Sequence, residues 1–182
     1  MSDAQPASVY DLSHTEEVEN LATFAILVDN EPGVLHRLVG LFAARGYNIE
    51  SLTVAETDRR AHTSRVTIVT RGAPHVLEQI EAQLEKMVAT RHVQDITRDP
   101  NGLERELALV KVKGTGADRV EALRIADIFR AKVVDTTIES FVFEMTGAST
   151  KIDKFVELMR PLGLVELSRT GVLSITRGVD AM

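Results

Sequence analysis

Two short polar segments flank one predicted helix and carry residue types suited to holding a small polar ligand. The first is Asn30-Glu31-Pro32-Gly33 and the second is Tyr47-Asn48. Backbone N–H groups in the first turn of a helix have no intrahelical acceptor, so they attract a carboxylate. Gly33 leaves room for close approach, and the amide of Asn30 or Asn48 both donates and accepts hydrogen bonds. Such a set suits a zwitterion, whose two ends need opposite partners.

The same residues also have a plainer interpretation, as helix boundaries. Asn30 can cap a helix, Pro32 is tolerated in the first turn, and Glu31 lies at the positive end of the helix dipole. Gly46 can end the helix before Tyr47-Asn48 leads into a strand. Residue types alone leave both interpretations open.

The two segments lie roughly 20 Å apart along the helix, so one chain cannot grip a small ligand with both. Two chains side by side can bring the Asn30–Gly33 segment of one near Asn48 of the other. If the ligand interpretation holds, the site therefore spans a dimer interface.

The composition excludes several kinds of chemistry. The chain of 182 residues has no cysteine, which excludes disulfides, thiolate metal sites and a cysteine nucleophile. Aromatic residues make up only 4%, so we expect an aliphatic core. Most of the formal net charge of −6 lies in residues 1–20, which hold five acidic side chains and no lysine or arginine.

The rest of the chain is near neutral and lacks the basic surface that nucleic acids require. The sequence shows no signal-peptide pattern and no apolar run of about 20 residues. We therefore expect a cytoplasmic protein that binds neither nucleic acid nor membrane, with a flexible acidic extension over residues 1–20.

Hydrophobic periodicity predicts an α+β fold of two ferredoxin-like βαββαβ sandwich units. The first unit covers residues 21–98, and a turn-rich linker covers 99–103. The second unit covers 104–178, with a tail at 179–182. Strands are predicted at 24–28, 48–56, 64–70, 92–97, 107–113, 132–137, 140–146, 164–168 and 171–176. The helix stripes begin at Leu35, Leu77, Ala122 and Ile152 and end at Phe42, Met87, Phe129 and Met159. Because such a sheet leaves one face or its edges open, we expect a homodimer.

Catalysis by this chain and RNA binding are the main rival functions. The histidines are scattered without metal-ligand spacing, at positions 14, 36, 62, 75 and 92. Lys113-Gly114-Thr115-Gly116 lacks the Lys-Ser/Thr of a phosphate loop and predicts a tight strand-to-helix turn. RNA-binding sheets need exposed aromatic residues, whereas we expect Phe141 and Phe143 to fill a core. We therefore predict no catalytic residues and no metal site.

The βαββαβ unit that opens with Asp-Asn-Glu-Pro-Gly-Val-Leu resembles an ACT domain, an amino-acid-sensing module. The longer run NEPGVLHRLVGLFAARGYNIESLTV resembles the regulatory, or small, subunits of acetolactate synthase, also called acetohydroxyacid synthase. Later segments are similar in order: LEQIEAQLEKMV, ERELALVKV, DIFRAKVVD and GVLSITRG. The resemblance covers roughly residues 21–178.

The resemblance implies a subunit without an active site that binds and activates the catalytic large subunit. It also implies feedback inhibition by a branched-chain amino acid, usually valine, and dimerisation through ACT domains. Thiamine diphosphate, Mg and FAD are then expected in the catalytic partner, and no cofactor in this chain. The implied effector-binding residues are Asn30, Gly33, Val34 and Leu35, with Asn48 and Ile49 contributed by the partner chain. The alternative is an ACT-type sensor subunit of another enzyme of amino-acid metabolism.

Overall fold

The structure is a computed structural model that describes residues 19–179. Residues 1–18 of the predicted acidic extension and residues 180–182 of the predicted tail lie outside the described residues.

The first unit has the predicted order βαββαβ. Its elements are β1 (Asn20–Asp29), α1 (Val34–Ala43), β2 (Ile49–Asp58), β3 (Thr63–Gly72), α2 (Pro74–Glu85) and β4 (Thr90–Asp95). The strands form an antiparallel sheet in the order β2-β3-β1-β4. Alternate residues of β1, among them Phe24 and Ile26, face the helices and are fully buried. Each such side chain contributes about 1.5–3 kcal/mol of burial free energy, so this layer holds the unit together.

The second unit repeats the architecture, which confirms the predicted fold class. Its elements are β5 (Gly102–Lys113), α3 (Gly116–Phe129), β6 (Lys132–Thr136), β7 (Ser140–Gly147), α4 (Ser149–Met159) and β8 (Leu164–Arg169), followed by β9 (Leu173–Thr176). The main sheet has the order β6-β7-β5-β8. Phe141 and Phe143 lie in the core, as predicted, and the Phe143 ring packs edge-on against Phe155 at 6.1 Å. The predicted turn between Lys113 and Gly116 is confirmed.

Several element boundaries differ from the prediction. Strand β5 begins at Gly102 and not at residue 107, because residues 102–105 pair with β9 at the far end of the chain. The turn signal of Asp99 is present, since the Gly102 amide donates to the Asp99 carbonyl at 2.9 Å, but the strand starts immediately afterwards. Helix α2 ends at Glu85, before Met87, and β4 covers residues 90–95. Pairing with β1 and with β9 sets the boundaries of β4 and the start of β5, respectively.

The segment between β8 and β9 joins the two units. Strand β9 lies against β1, and Val172 hydrogen-bonds to β2 on the sheet face opposite the helices. Beside this segment a cleft of about 810 Å³ separates the units. The face of the first sheet opposite its helices, which the sequence analysis expected to be open, is therefore partly covered by the segment around Val172.

One ion-pair network lines this cleft. Arg169 donates through Nε and Nη2 to the two carboxylate oxygens of Glu106, at 2.7 and 2.6 Å, and through Nη1 to Asp153 at 2.7 Å. Glu106 is only 4% exposed. The bonds to Glu106, and then to Asp153, raise the pKa of Arg169 above its usual value. Two parallel charge-assisted bonds of this kind hold β5 and β8 in register.

We predict that Arg169→Met lowers the free energy of unfolding by about 3 kcal/mol, because the Glu106 carboxylate stays buried without its partner. Arg169→Met combined with Glu106→Leu recovers much of this loss, because no uncompensated charge remains. Denaturant unfolding at one protein concentration measures both variants. Lys154→Met removes an exposed ion pair with Glu157 and serves as the control, with an expected change below about 1 kcal/mol. Equal losses for Arg169→Met and the control would contradict the prediction.

Candidate functional site

The first polar segment forms an open loop in front of α1. The helix begins after Gly33, whose φ of +83° lies in the left-handed region that glycine adopts without strain. A Cβ added to Gly33 would meet no atom within 4 Å. The interpretation of Asn30 as a helix cap is wrong, because no side chain caps α1 and Asn30 Nδ2 donates to Glu56 Oε1 at 3.3 Å. The loop therefore leaves the start of α1 open to solvent and does not cap it with a side chain.

The first turn of α1 presents free backbone donors. The Val34 amide donates to the Glu31 carbonyl at 3.2 Å, and the Arg37 amide to the Gly33 carbonyl at 3.0 Å. Between them, the amides of Leu35 and His36 have no acceptor among residues 19–179. Together with the positive end of the helix dipole, these two N–H groups can bind a carboxylate.

Contacts from distant parts of the chain hold the loop. The backbone N–H of Asn30 donates to the His62 carbonyl at 2.7 Å, and Arg91 Nε donates to Asp29 Oδ1 at 2.6 Å. His62 belongs to the β2–β3 hairpin, which Asp58 closes by accepting the amides of Arg60 and Ala61 at 2.7 and 3.1 Å. The Ala61 bond, followed by the Arg60 bond, lowers the pKa of Asp58. The hairpin turn is thus built on an ionised carboxylate.

The orientation of the Asn30 side-chain amide follows from its contact with Glu56. Because the Glu56 carboxylate only accepts hydrogen bonds, the Asn30 NH₂ group must face it, and Asn30 Oδ1 faces away. That oxygen is then a free acceptor in the loop that precedes α1. The loop offers both a carboxylate-binding and an ammonium-binding group.

The second polar segment lies at the other end of α1. Gly46 has a φ of +70°, and the Tyr47 amide donates to the Phe42 carbonyl at 3.0 Å, which confirms Gly46 as the helix-ending glycine. The Asn48 carbonyl accepts from Thr70 Oγ1 at 2.6 Å. The Asn48 side chain is exposed and has no hydrogen-bond partner in the described part of the chain. Its amide is free for a ligand.

The predicted effector-binding residues fall into two groups. Asn30, Gly33 and Leu35 are exposed at the start of α1, with Leu35 39% exposed. Val34 joins them, but its side chain is only 7% exposed and packs in the core, so only its backbone faces the loop.

Asn48 and the half-buried Ile49 lie at the far end of the helix. The ten residues of α1 span about 15 Å, so one chain does not bring the two groups together. A site formed from both groups requires a second copy.

Sequence reasoning missed the residues that hold the loop, namely Glu56, Asp58, His62 and Arg91. Glu56 lies 26 positions from Asn30, and Arg91 lies 62 positions from Asp29. Contacts at such separations leave no local pattern in a single sequence. The pairing of β3 with β1 and β2, and of β1 with β4, brings them to the loop.

Residues 19–179 contain no cluster of three or more His, Asp or Glu side chains able to hold a metal ion. No helix among them combines the length and the apolar character needed to span a membrane.

Comparison with protein families gives two matches that follow the two units. Residues 24–92 match the ACT domain of acetohydroxyacid synthase small subunit-like proteins. Residues 105–178 match the family described as the small subunit of acetolactate synthase. The two matches together cover most of the chain.

Individual relatives agree with the family matches. The chain is 46% identical to a probable acetolactate synthase small subunit of Archaeoglobus fulgidus, over 86% of this chain and 96% of that protein. It is 43% identical to the acetolactate synthase isozyme 3 small subunit of Salmonella typhimurium, over 87% of this chain and 96% of that protein.

A solved structure supports the fold directly. The crystal structure of the acetolactate synthase small subunit from Thermotoga maritima superposes with a TM-score of 0.78 at 36% identity, covering 88% of this chain and 99% of that chain. The resemblance seen in the sequence is thereby confirmed, and the chain belongs to the acetolactate synthase small subunit family.

Proposed function

We propose that this protein binds and activates the catalytic large subunit of acetolactate synthase and makes it sensitive to feedback inhibition by valine. Membership of the small subunit family supports a regulatory role in branched-chain amino acid biosynthesis. In this proposal the chain has no catalytic centre and no cofactor. Thiamine diphosphate, Mg and FAD belong to the catalytic partner.

The open loop before α1 is the observation that carries the effector assignment. Free valine presents a carboxylate, an ammonium group and a small aliphatic side chain. The amides of Leu35 and His36 can bind the carboxylate, and Asn30 Oδ1 can accept from the ammonium. The exposed part of Leu35 offers an apolar contact for the side chain.

The proposed site is completed by a second copy of the chain. Asn48 and Ile49 of that copy contribute a free side-chain amide and an apolar surface at the loop. The effector then stabilises one arrangement of the ACT dimer, whereas the catalytic subunit prefers another. A coupling free energy of about 1–3 kcal/mol changes activity several-fold to a hundredfold.

We predict that Asn30→Ala and Asn48→Ala each raise the valine concentration for half-inhibition about 10- to 100-fold, because each removes a hydrogen bond to a charged ligand. Activation of the catalytic subunit stays at the wild-type level. The measurement is a valine titration of the reconstituted holoenzyme, repeated with leucine and isoleucine to rank the effectors. Asn101→Ala, in the exposed turn before β5, is the matched control and keeps normal inhibition. Full sensitivity in both site variants would refute the assignment.

A second prediction tests whether one site draws on two chains. Dimers that pair an Asn30→Ala chain with an Asn48→Ala chain contain one site with both asparagines replaced and one intact site. We expect such mixed dimers to bind about one valine with wild-type affinity, whereas dimers of either variant alone bind weakly. Co-expression with two different affinity tags yields the mixed dimers, and calorimetry counts the sites. Mixed dimers that bind no better than the single variants would contradict a site shared between two chains.

A further inference from the structure

The backbone of Val172 is held between two hydroxyl groups of the other unit. The Val172 amide donates to Ser51 Oγ at 3.0 Å, and Thr53 Oγ1 donates to the Val172 carbonyl at 3.0 Å. Both hydroxyls project from β2 on the face opposite the helices, two residues apart, and the Val172 residue is only 7% exposed. Every polar group of this residue's backbone is therefore used in one inter-unit contact.

Gly171 makes this contact possible. Its φ is +81°, and an added Cβ would lie 2.5 Å from Ser51 Oγ and 3.0 Å from Thr53 Cγ2. Both the backbone conformation and the space exclude a larger residue at this position. Gly171, Val172, Ser51 and Thr53 are called the C-terminal clamp below.

The C-terminal clamp lies directly beside the second group of proposed effector residues. Strand β2 begins at Ile49, and its register with β3 shifts between Ile49 and Ser51. The clamp bonds to the strand from Ser51 onward. A register shift of this kind interrupts the ladder of hydrogen bonds and lets the strand bend locally. The bond from Thr70 Oγ1 to the Asn48 carbonyl holds the residues before the shift, and the clamp holds the strand just beyond it. The exact position of Asn48 and Ile49 therefore depends on both anchors.

We propose that the C-terminal clamp positions Asn48 and Ile49 for the effector, so that the second unit sets the affinity of a site built by the first. This inference rests on the proposed function. A held strand needs no further ordering when the effector binds, whereas a released strand must lose conformational freedom at that moment. Because coupling is reciprocal, the bound effector also tightens the clamp and joins the two units more firmly.

The decisive pair of variants is Thr53→Val and Thr53→Ser in the full-length dimeric protein. Valine matches threonine in shape but lacks the donor to the Val172 carbonyl, whereas serine keeps it. We expect Thr53→Val to weaken valine binding roughly 2- to 10-fold in calorimetry, the effect of one neutral hydrogen bond. Thr53→Ser binds as the wild type does, and activation of the catalytic subunit is unchanged in both.

A pair of glycine variants tests the same clamp by crowding. Gly178 also has a positive φ, of +113°, but a Cβ there would meet no atom within 4 Å. Gly171→Ala and Gly178→Ala therefore share backbone strain, and only the first displaces Ser51. We expect Gly171→Ala to weaken valine binding more than fivefold, and Gly178→Ala to leave it within about twofold, since strain alone does not reach the site.

Hydrogen exchange supplies a readout that a purely structural role would not change. In the wild type and in Thr53→Ser, valine is expected to slow exchange of the Val172 amide, and in Thr53→Val it is not. If wild-type protein binds valine while Thr53→Val binds equally well and valine leaves the Val172 amide unprotected, the clamp proposal is wrong and the proposed function stands. If wild-type protein binds none of valine, leucine and isoleucine, the effector assignment in the proposed function is wrong, and the clamp proposal that rests on it is wrong as well.

Discussion

Packing of α1 against the first sheet is the interaction on which the candidate site depends. Leu38 and Phe42 are buried against β1, and Val34 continues the same stripe at the helix start. This stripe fixes the rotation of the helix and thereby the direction in which its two ends point. The loop at Gly33 and Asn48 after Gly46 stay exposed at the two ends of a helix that is held by its packing on the core. Because the helix has ten residues, it holds the two polar segments too far apart for one chain to contact a small ligand with both.

The charged side chains around the loop form ion pairs with one another. Asp29 pairs with Arg91, Glu31 with Arg37, and Glu56 with Arg59. What remains free is one neutral acceptor and two neutral backbone donors. A site of this kind carries no net charge, which suits a ligand whose own charges sum to zero. A simple anion fits such a set of groups less well, since the Asn30 oxygen would be left facing a negative group or without a donor.

The fold could be predicted from short-range signals in the sequence, whereas the contacts that hold the candidate loop could not. Helices and strands followed from apolar periodicity because burial repeats at short range, as in the stripes through Leu38 and Ile80. The ends of α1 were also predictable, since Gly33 and Gly46 are local signals. The contacts of Glu56, Arg91 and Val172 were not, because each partner is more than 20 residues away. Strand β5 was predicted too short for the same reason, since its first residues pair only with β9.

The pairing of β9 with the first residues of β5 has a consequence for how the chain is made. Thr23, Ala25 and Thr67 lie on the face of the first sheet opposite its helices, and the chain between Val172 and Thr176 lies against that face. Ribosomes deliver the first unit complete before residues 172–176 exist. This face of the first sheet therefore stays exposed to solvent until residues 172–176 have been made and reach it.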